Sequence, residues 1–256
     1  MEYITLHDTR IPVIGLGTWA LRGKECTAAV LSALDIGYRH LDTAQMYANE
    51  ESIGDALRQT DVSRDEIFIT TKVKPPGLRY GDVLASVRSS LKKLKTGFVD
   101  LLLIHWPEPG VPVSETEKAM NELQSEGRVR HIGVSNFSIT EIREAMEVSQ
   151  TPVLTSQVHY DPFRDQNAMV EFCQENGVML TAYSPLAKGR AADSSFLREI
   201  GEKYGKSAVQ VTLRWLIQQK NVAAIPKSGN PRHQKENLDI FDFHLTREEM
   251  EKIFGL

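Results

Sequence analysis

The sequence predicts an α/β fold of the closed parallel (β/α)8 kind, and three observations lead there. Short apolar or β-branched runs alternate with longer stretches of helical periodicity rich in Glu, Lys, Arg and Ala. Eight such units fill 256 residues, an average of 32 each, which suits a strand, a helix and two short loops. No Pro/Gly/Ser-rich linker or block of like charge divides them, so residues 1–256 read as a single barrel domain. A doubly wound open sheet uses the same alternation, so the choice between the two rests on the motifs.

The strand-like runs are 13–18, 38–42, 67–72, 99–105, 129–135, 153–158, 178–184 and 222–226. Helices are expected at 24–35, 49–58, 81–94, 114–126, 140–149, 167–175, 207–219 and 230–238, with a last one starting at Arg247. Ser114 and Thr140 stand where N-caps belong, and Gly127 and Gly177 follow helices where a left-handed residue is wanted. The stretch after Ser184 reads as a compact loop.

Composition narrows the function. Thirty Lys and Arg against 34 Asp and Glu leave a net charge of −4, which offers no field for nucleic acid. A hydrophobic fraction of 41% with 25% charged residues is globular, and the run Leu101 to Ile104 falls far short of the roughly 20 apolar residues of a membrane span. The start Met1-Glu2-Tyr3-Ile4 lacks the basic and apolar pattern of an export signal, so the cytoplasm is expected. Cys26 and Cys173 stand 147 positions apart with no metal-ligand spacing around them and read as packing residues.

In a parallel barrel, polar residues at the C-terminal ends of strands face the active-site mouth. Three consecutive runs end in ionisable residues, Asp42, Lys72 and His105, spaced 30 and 33 apart, with Tyr47 five residues beyond Asp42. Singly, each has an ordinary reading: Asp42 caps a turn, Lys72 is a solvated strand end, His105 is a satisfied core residue. An acid, a lysine, a phenol and an imidazole at the same ends of three neighbouring strands point instead to chemistry. The set suits proton donation by the phenol. A free tyrosine has a pKa near ~10, and a nearby ammonium lowers it. Lys72 is expected to do this for Tyr47, with Asp42 as the counter-ion of the lysine. A neutral His105 would orient a carbonyl oxygen toward the phenol. Protonating an oxygen as it gains negative charge is half of a carbonyl reduction, and a hydride donor is the other half. A metal-dependent hydrolase built on Asp42, His105 and His159 is a competing reading, but no His-x-His pair occurs and no metal is expected. Gly15-Leu16-Gly17-Thr18-Trp19-Ala20, with Asp35 20 residues after Gly15, mimics a dinucleotide fingerprint. Pro12 interrupts the run before it and Asp35 falls at a helix end, which is the wrong setting for a Rossmann turn.

Seven stretches taken in order resemble the aldo-keto reductase family across almost the whole chain. They are Gly15 to Trp19, Gly37 to Ala44 with Tyr47, Thr71-Lys72, Ile104-His105-Trp106-Pro107, Gly133-Val134-Ser135-Asn136-Phe137, Tyr183-Ser184-Pro185-Leu186 and Ile225-Pro226-Lys227-Ser228. The overall pattern looks most like bacterial and archaeal members akin to 2,5-diketogluconate reductases. The resemblance implies a (β/α)8 barrel closed at its base by an N-terminal β-hairpin, over 3–6 and 11–13. It also implies NADPH as cofactor without a Rossmann domain, and Tyr47, Asp42, Lys72 and His105 as the catalytic set. Thr18 and Trp19 would lie at the nicotinamide end with Asp42. Ser135, Asn136 and Gln157 match residues that bind the carboxamide, and Tyr183 the ring that stacks beneath it. Ser184, Leu186 and Lys188 match the pyrophosphate loop, where the last position is often Ser. Lys227 and Ser228 match contacts to the phosphate on the adenosine ribose, and Glu236 with Asn237 the adenine contacts. The family's phosphate-clamping arginine would fall at His233, with Arg232 one position earlier, about 100° away around a helix. Histidine is mostly neutral at pH 7, so NADPH is favoured with NADH as an open alternative. Short loops at the mouth imply an open pocket lined by Trp19, Tyr47 and Trp106 that admits small aldehydes, ketones or α-dicarbonyls. The alternative is a cofactor-binding regulatory subunit with slow turnover; a monomer is the default.

Overall fold

In the computed structural model, which describes residues 1–254 and 256, the chain opens on an antiparallel hairpin, β1 (Tyr3–Leu6) and β2 (Thr9–Pro12). Its tip, His7 and Asp8, takes left-handed backbone at φ 47° and 60°. Eight parallel strands follow: β3 (Leu16–Gly17), β4 (His40–Asp42), β5 (Phe68–Val73), β6 (Val99–Ile104), β7 (Val129–Ser135), β8 (Val153–His159), β9 (Met179–Tyr183) and β10 (Val222–Ala224). Each pairs with the next in chain order, from β3 to β10. The sheet closes on itself where Gly15 N donates to Ala224 O at 2.9 Å, Ala224 N to Val13 O at 2.8 Å and Gly17 N to Pro226 O at 3.1 Å. A Cβ at Gly17 would stand 2.6 Å from Ile225 O, so only glycine lets the first and last strands approach this closely. That approach decides between the two architectures: the sheet is a closed (β/α)8 barrel. The hairpin lies across its base, with His7 Nε2 3.0 Å from Gly177 O and Thr9 Oγ1 3.0 Å from His131 Nε2.

The helices are α1 (Gly23–Ile36), α2 (Glu50–Leu57), α3 (Tyr80–Leu94), α4 (Val113–Ser125), α5 (Ile139–Val148), α6 (Asn167–Glu175), α7 (Arg190–Asp193), α8 (Ser195–Tyr204), α9 (Ala208–Gln218), α10 (Pro231–Leu238) and α11 (Arg247–Phe254). None is long and apolar enough to cross a membrane among the described residues. Every residue of β5 and β6 is buried, as strands between a filled barrel and a helix layer must be. Cys26 and Cys173 are buried and unpaired.

Three local expectations are corrected. The cap of α5 is Ser138, whose side chain accepts from Glu141 N while Glu141 reaches back to the Ser138 backbone, a reciprocal capping box; Thr140 lies inside the helix. Ser114 likewise falls in the first turn of α4, after Pro112. The stretch after Ser184 is not merely a loop: α7 and α8 occupy it, the second started by Ser194 Oγ accepting from Leu197 N and anchored by buried Leu197 and Ile200.

Two buried acids stand out. Asp100, near the N-terminal end of β6, accepts from Arg64 Nη2 at 2.8 Å, Arg130 Nη1 at 2.9 Å and Ile69 N at 2.9 Å. Glu117 on α4 is fully buried and neither carboxylate oxygen has a partner; burial pushes its pKa up to about 8.

Candidate active site

The four expected side chains converge at the C-terminal mouth. Asp42 ends β4 and Lys72 sits at the penultimate position of β5, both buried. Lys72 Nζ donates to Asp42 Oδ1 at 2.6 Å and to Thr43 O at 2.8 Å, and Gln157 Nε2 donates to Asp42 Oδ2 at 2.8 Å. Both carboxylate oxygens are therefore held. Tyr47 closes a single 3-10 turn, residues Gln45–Tyr47, which lays its ring over the lysine with Nζ 5.1 Å from the centroid. His105, one residue beyond β6, meets that ring edge-on at 5.7 Å and 78°.

The electrostatics differ from the expectation in one respect. Tyr47 has its pKa raised, first by burial and then by the Asp42 carboxylate. Burial outweighs the pull of the ammonium, which is turned onto Asp42 and the Thr43 carbonyl and lies 5.1 Å from the Tyr47 ring centroid. The phenol accordingly holds its proton across the whole working pH range. Burial lowers the pKa of Lys72, with Asp42 acting against the drop. Burial, then Lys72, lowers His105 to about 4, so the imidazole is neutral at pH 7.

A cleft of about 320 Å³ opens above these groups, lined among others by Thr18, Trp19, Tyr47, His105, Trp106, Ser135, Asn136, Gln157, Tyr183, Ser184, Lys188 and Lys227. Thr18 Oγ1 is fastened to Asp42 O at 2.9 Å, while Trp19 and Trp106 are 62% and 45% exposed, indole walls on an open mouth. Asn136, in left-handed backbone at φ 61°, donates to His105 O at 2.9 Å and accepts from Tyr183 OH at 2.8 Å. Lys227 also lines a second hollow, with Ser228 and His233, so the two run together as one trough. Amide and hydroxyl groups on Ser135, Asn136 and Gln157 line the first hollow together with the ammonium groups of Lys188 and Lys227, and Lys227 carries the lining on into the second. That mixture fits a dinucleotide, which carries both an amide-bearing ring and phosphates.

Four of the residues expected to contact the cofactor lie outside both hollows. Leu186 packs against the core, leaving only its carbonyl, which accepts from Gly189 N at 2.9 Å, on that loop. Arg232 turns its guanidinium to His233 Nε2 at 3.1 Å and Glu236 Oε1 at 3.7 Å. Glu236 is engaged there, and Asn237 is buried on α10. His159 stands apart from Asp42 and His105, stacked on Tyr183 at 5.5 Å and 21° with Asp161 Oδ2 2.9 Å from its Nε2. Among the described residues no three His, Cys, Asp or Glu side chains gather as a metal would need.

Sequence reasoning missed three contributors. Met46 and Ile225 line the cleft. Asn49, buried, accepts from Thr43 Oγ1 at 2.7 Å and donates to Thr18 O at 2.9 Å and Leu21 O at 3.1 Å, tying the Trp19 loop to the Tyr47 loop. Its place two residues after Tyr47, at the start of α2, was the available signal.

Residues 13–256 match the profile of the Aldo/keto reductase family. Glyoxal reductase from Bacillus subtilis (strain 168) is 38% identical, the alignment covering 100% of this chain and 92% of that protein. 2,5-diketo-D-gluconic acid reductase B from Corynebacterium sp. (strain SHS752001) is 39% identical over 99% of this chain and 92% of its own. A crystal structure of a Gox0644 variant in complex with NADPH aligns with a TM-score of 0.92 at 35% identity, covering 99% of this chain and 92% of that one. With near-complete coverage on both sides and a buried lysine–aspartate pair at the barrel mouth, the chain belongs to the aldo/keto reductase family of oxidoreductases.

Proposed function

We propose that this barrel reduces small aldehydes, ketones and α-dicarbonyls to alcohols, with hydride from NADPH, NADH serving as a second donor, and with the proton from Tyr47. The observation that carries the reading is the buried Lys72–Asp42 pair at 2.6 Å beneath the Tyr47 ring, with neutral His105 at its edge. When bound, the cofactor supplies the hydride received by the carbonyl carbon. Ser135, Asn136 and Gln157 would hold its carboxamide, Tyr183 its ring, Ser184 and Lys188 its pyrophosphate, and Lys227 with Ser228 the far ribose. Gln157 spends one N–H on Asp42 and keeps its own oxygen for an amide donor.

The substrate oxygen is held between the phenol and the imidazole. As negative charge gathers on that oxygen, Tyr47 releases its proton to it. The phenolate that remains is stabilised by the Lys72 ammonium, whose charge is secured by Asp42. A raised phenol pKa keeps the acid loaded until that moment. Neutral His105 serves as a hydrogen-bonding guide and does not compete as an acid. The exposed indoles of Trp19 and Trp106 leave room for small carbonyls of varied shape. The name glyoxal reductase borne by the 38% identical relative supports α-dicarbonyls as the first class to try.

Absorbance at 340 nm, followed with methylglyoxal and NADPH and then with NADH, tests the reading. Steady loss of absorbance with saturation in the carbonyl is expected. No loss with methylglyoxal or with any of a panel of small aldehydes would overturn it.

A further inference from the structure

The far end of the trough holds a carboxylate that the proposed reaction does not use. Glu25, in the first turn of α1, lines the same hollow as Lys227, Ser228, Gly229 and His233. It lies close to the backbone that follows β10: a Cβ on Gly229 would stand 3.2 Å from Glu25 Oε1. Among the described residues Glu25 forms no ion pair. The nearby guanidinium is turned elsewhere, Arg232 facing His233 at 3.1 Å and Glu236 at 3.7 Å. The hollow thus presents one ammonium, one hydroxyl, one imidazole and one unpaired carboxylate.

A phosphate on the adenosine ribose and a free 2′-hydroxyl make opposite demands on such a hollow. A phosphate wants cations and donors, and a carboxylate beside it is repulsive. A free hydroxyl is a donor, and a carboxylate is its preferred acceptor, the same division that separates NAD from NADP sites on dinucleotide folds. We propose that Glu25 is the residue that sets cofactor choice in this chain. Its carboxylate accepts from the ribose hydroxyls of NADH and opposes the 2′-phosphate of NADPH, while Lys227 and Ser228 favour the phosphate. The two cofactors are thereby brought close in affinity. The inference rests on the cofactor reading given under Proposed function.

Binding, not turnover, tests it. Quenching of protein fluorescence, with Trp19 and Trp106 at the mouth as reporters, gives dissociation constants for NADPH and NADH in the wild type, Glu25→Gln and Glu25→Ala. In the wild type the two constants are expected to lie within about tenfold of each other. Glu25→Gln keeps the shape and removes the charge, so NADPH tightens by roughly tenfold at low salt, the effect of one lost like-charge contact. NADH weakens by about two- to threefold, and the NADPH gain shrinks as salt approaches ~1 M. Glu25→Ala moves the ratio the same way, with a larger loss for NADH. Thermal melting checks that both variants are folded. An unchanged NADPH to NADH ratio in both folded variants, each still binding both cofactors, overturns the assignment of Glu25 and leaves the carbonyl reductase reading intact. Failure of the wild type to bind either cofactor overturns that reading and this one with it.

Discussion

Two buried aspartates on nearby strands have basic partners and opposite purposes. Asp42 ends β4 at the mouth and is paired with one lysine at 2.6 Å. Asp100 sits at the base of β6 and is gripped by two arginines at 2.8 and 2.9 Å. Arginine offers a rigid, permanently charged fork that spends its donors on the carboxylate, while a lysine is a point charge whose field reaches past its partner. At the base, the forks from Arg64 and Arg130 tie the segment before β5 and the start of β7 to β6, beside a hollow that Asp100 and Arg130 help to line. At the mouth, the single ammonium is shared between Asp42 and the ring of Tyr47. On the proposed reading the same pairing of charges fastens one end of the barrel and serves proton transfer at the other, in keeping with the division between stabilising and active faces of this fold.

The contrast is sharpest if function and stability separate. Tyr47→Phe, which removes the acid and leaves Lys72 and Asp42 paired, is expected to cut kcat by roughly 10² to 10⁴ with unchanged cofactor affinity and melting temperature. Turnover equal to wild type would break the comparison at the mouth. Asp100→Asn should do the reverse. It leaves two guanidinium groups facing a neutral amide and is expected to cost about 2–3 kcal/mol in urea unfolding, less than a fully buried pair because Arg130 is nearly half exposed. The folded fraction should keep its kcat; a selective loss of kcat would mean that the base is not purely structural.

A third buried acid has no partner, and its effect depends on pH. The folded pKa of Glu117, about 8, lies above its value in the unfolded chain, so between pH ~5 and ~8 the folded state keeps a proton that the unfolded state has released. Stability contributed by that carboxyl is lost as pH rises through this window. Glu117→Gln should leave stability unchanged near pH 4 and raise it progressively, by on the order of 4 kcal/mol at pH 8, in paired denaturant titrations. A gain that does not grow with pH would mean that the carboxyl is solvated.

The mouth was more legible in the sequence than the trough beyond it. Asp42, Lys72 and His105 lie at or near the ends of successive parallel strands, and strand spacing is written in local periodicity. The direction of the shift at Tyr47 was not legible, because burial outweighs a neighbouring charge there and burial is a property of the assembled barrel. Helix α8 could have been read from Phe196, Leu197, Ile200 and Tyr204 at helical spacing behind Ser194, and the cap of α5 from Ser138 and Glu141 three apart. No local pattern could have brought Glu25 to Gly229, some 200 positions away, since that meeting depends on the first and last strands joining.

That junction has a mechanical corollary. The hoop is fastened by a handful of backbone hydrogen bonds between Val13 to Gly17 and Ala224 to Pro226, and the trough straddles the fastening, with Thr18 on one bank and Lys227 on the other. Any molecule gripping both banks acts as a clasp, so loading would slow amide exchange at Gly15, Gly17 and Ala224 more than at the arginine-bound base.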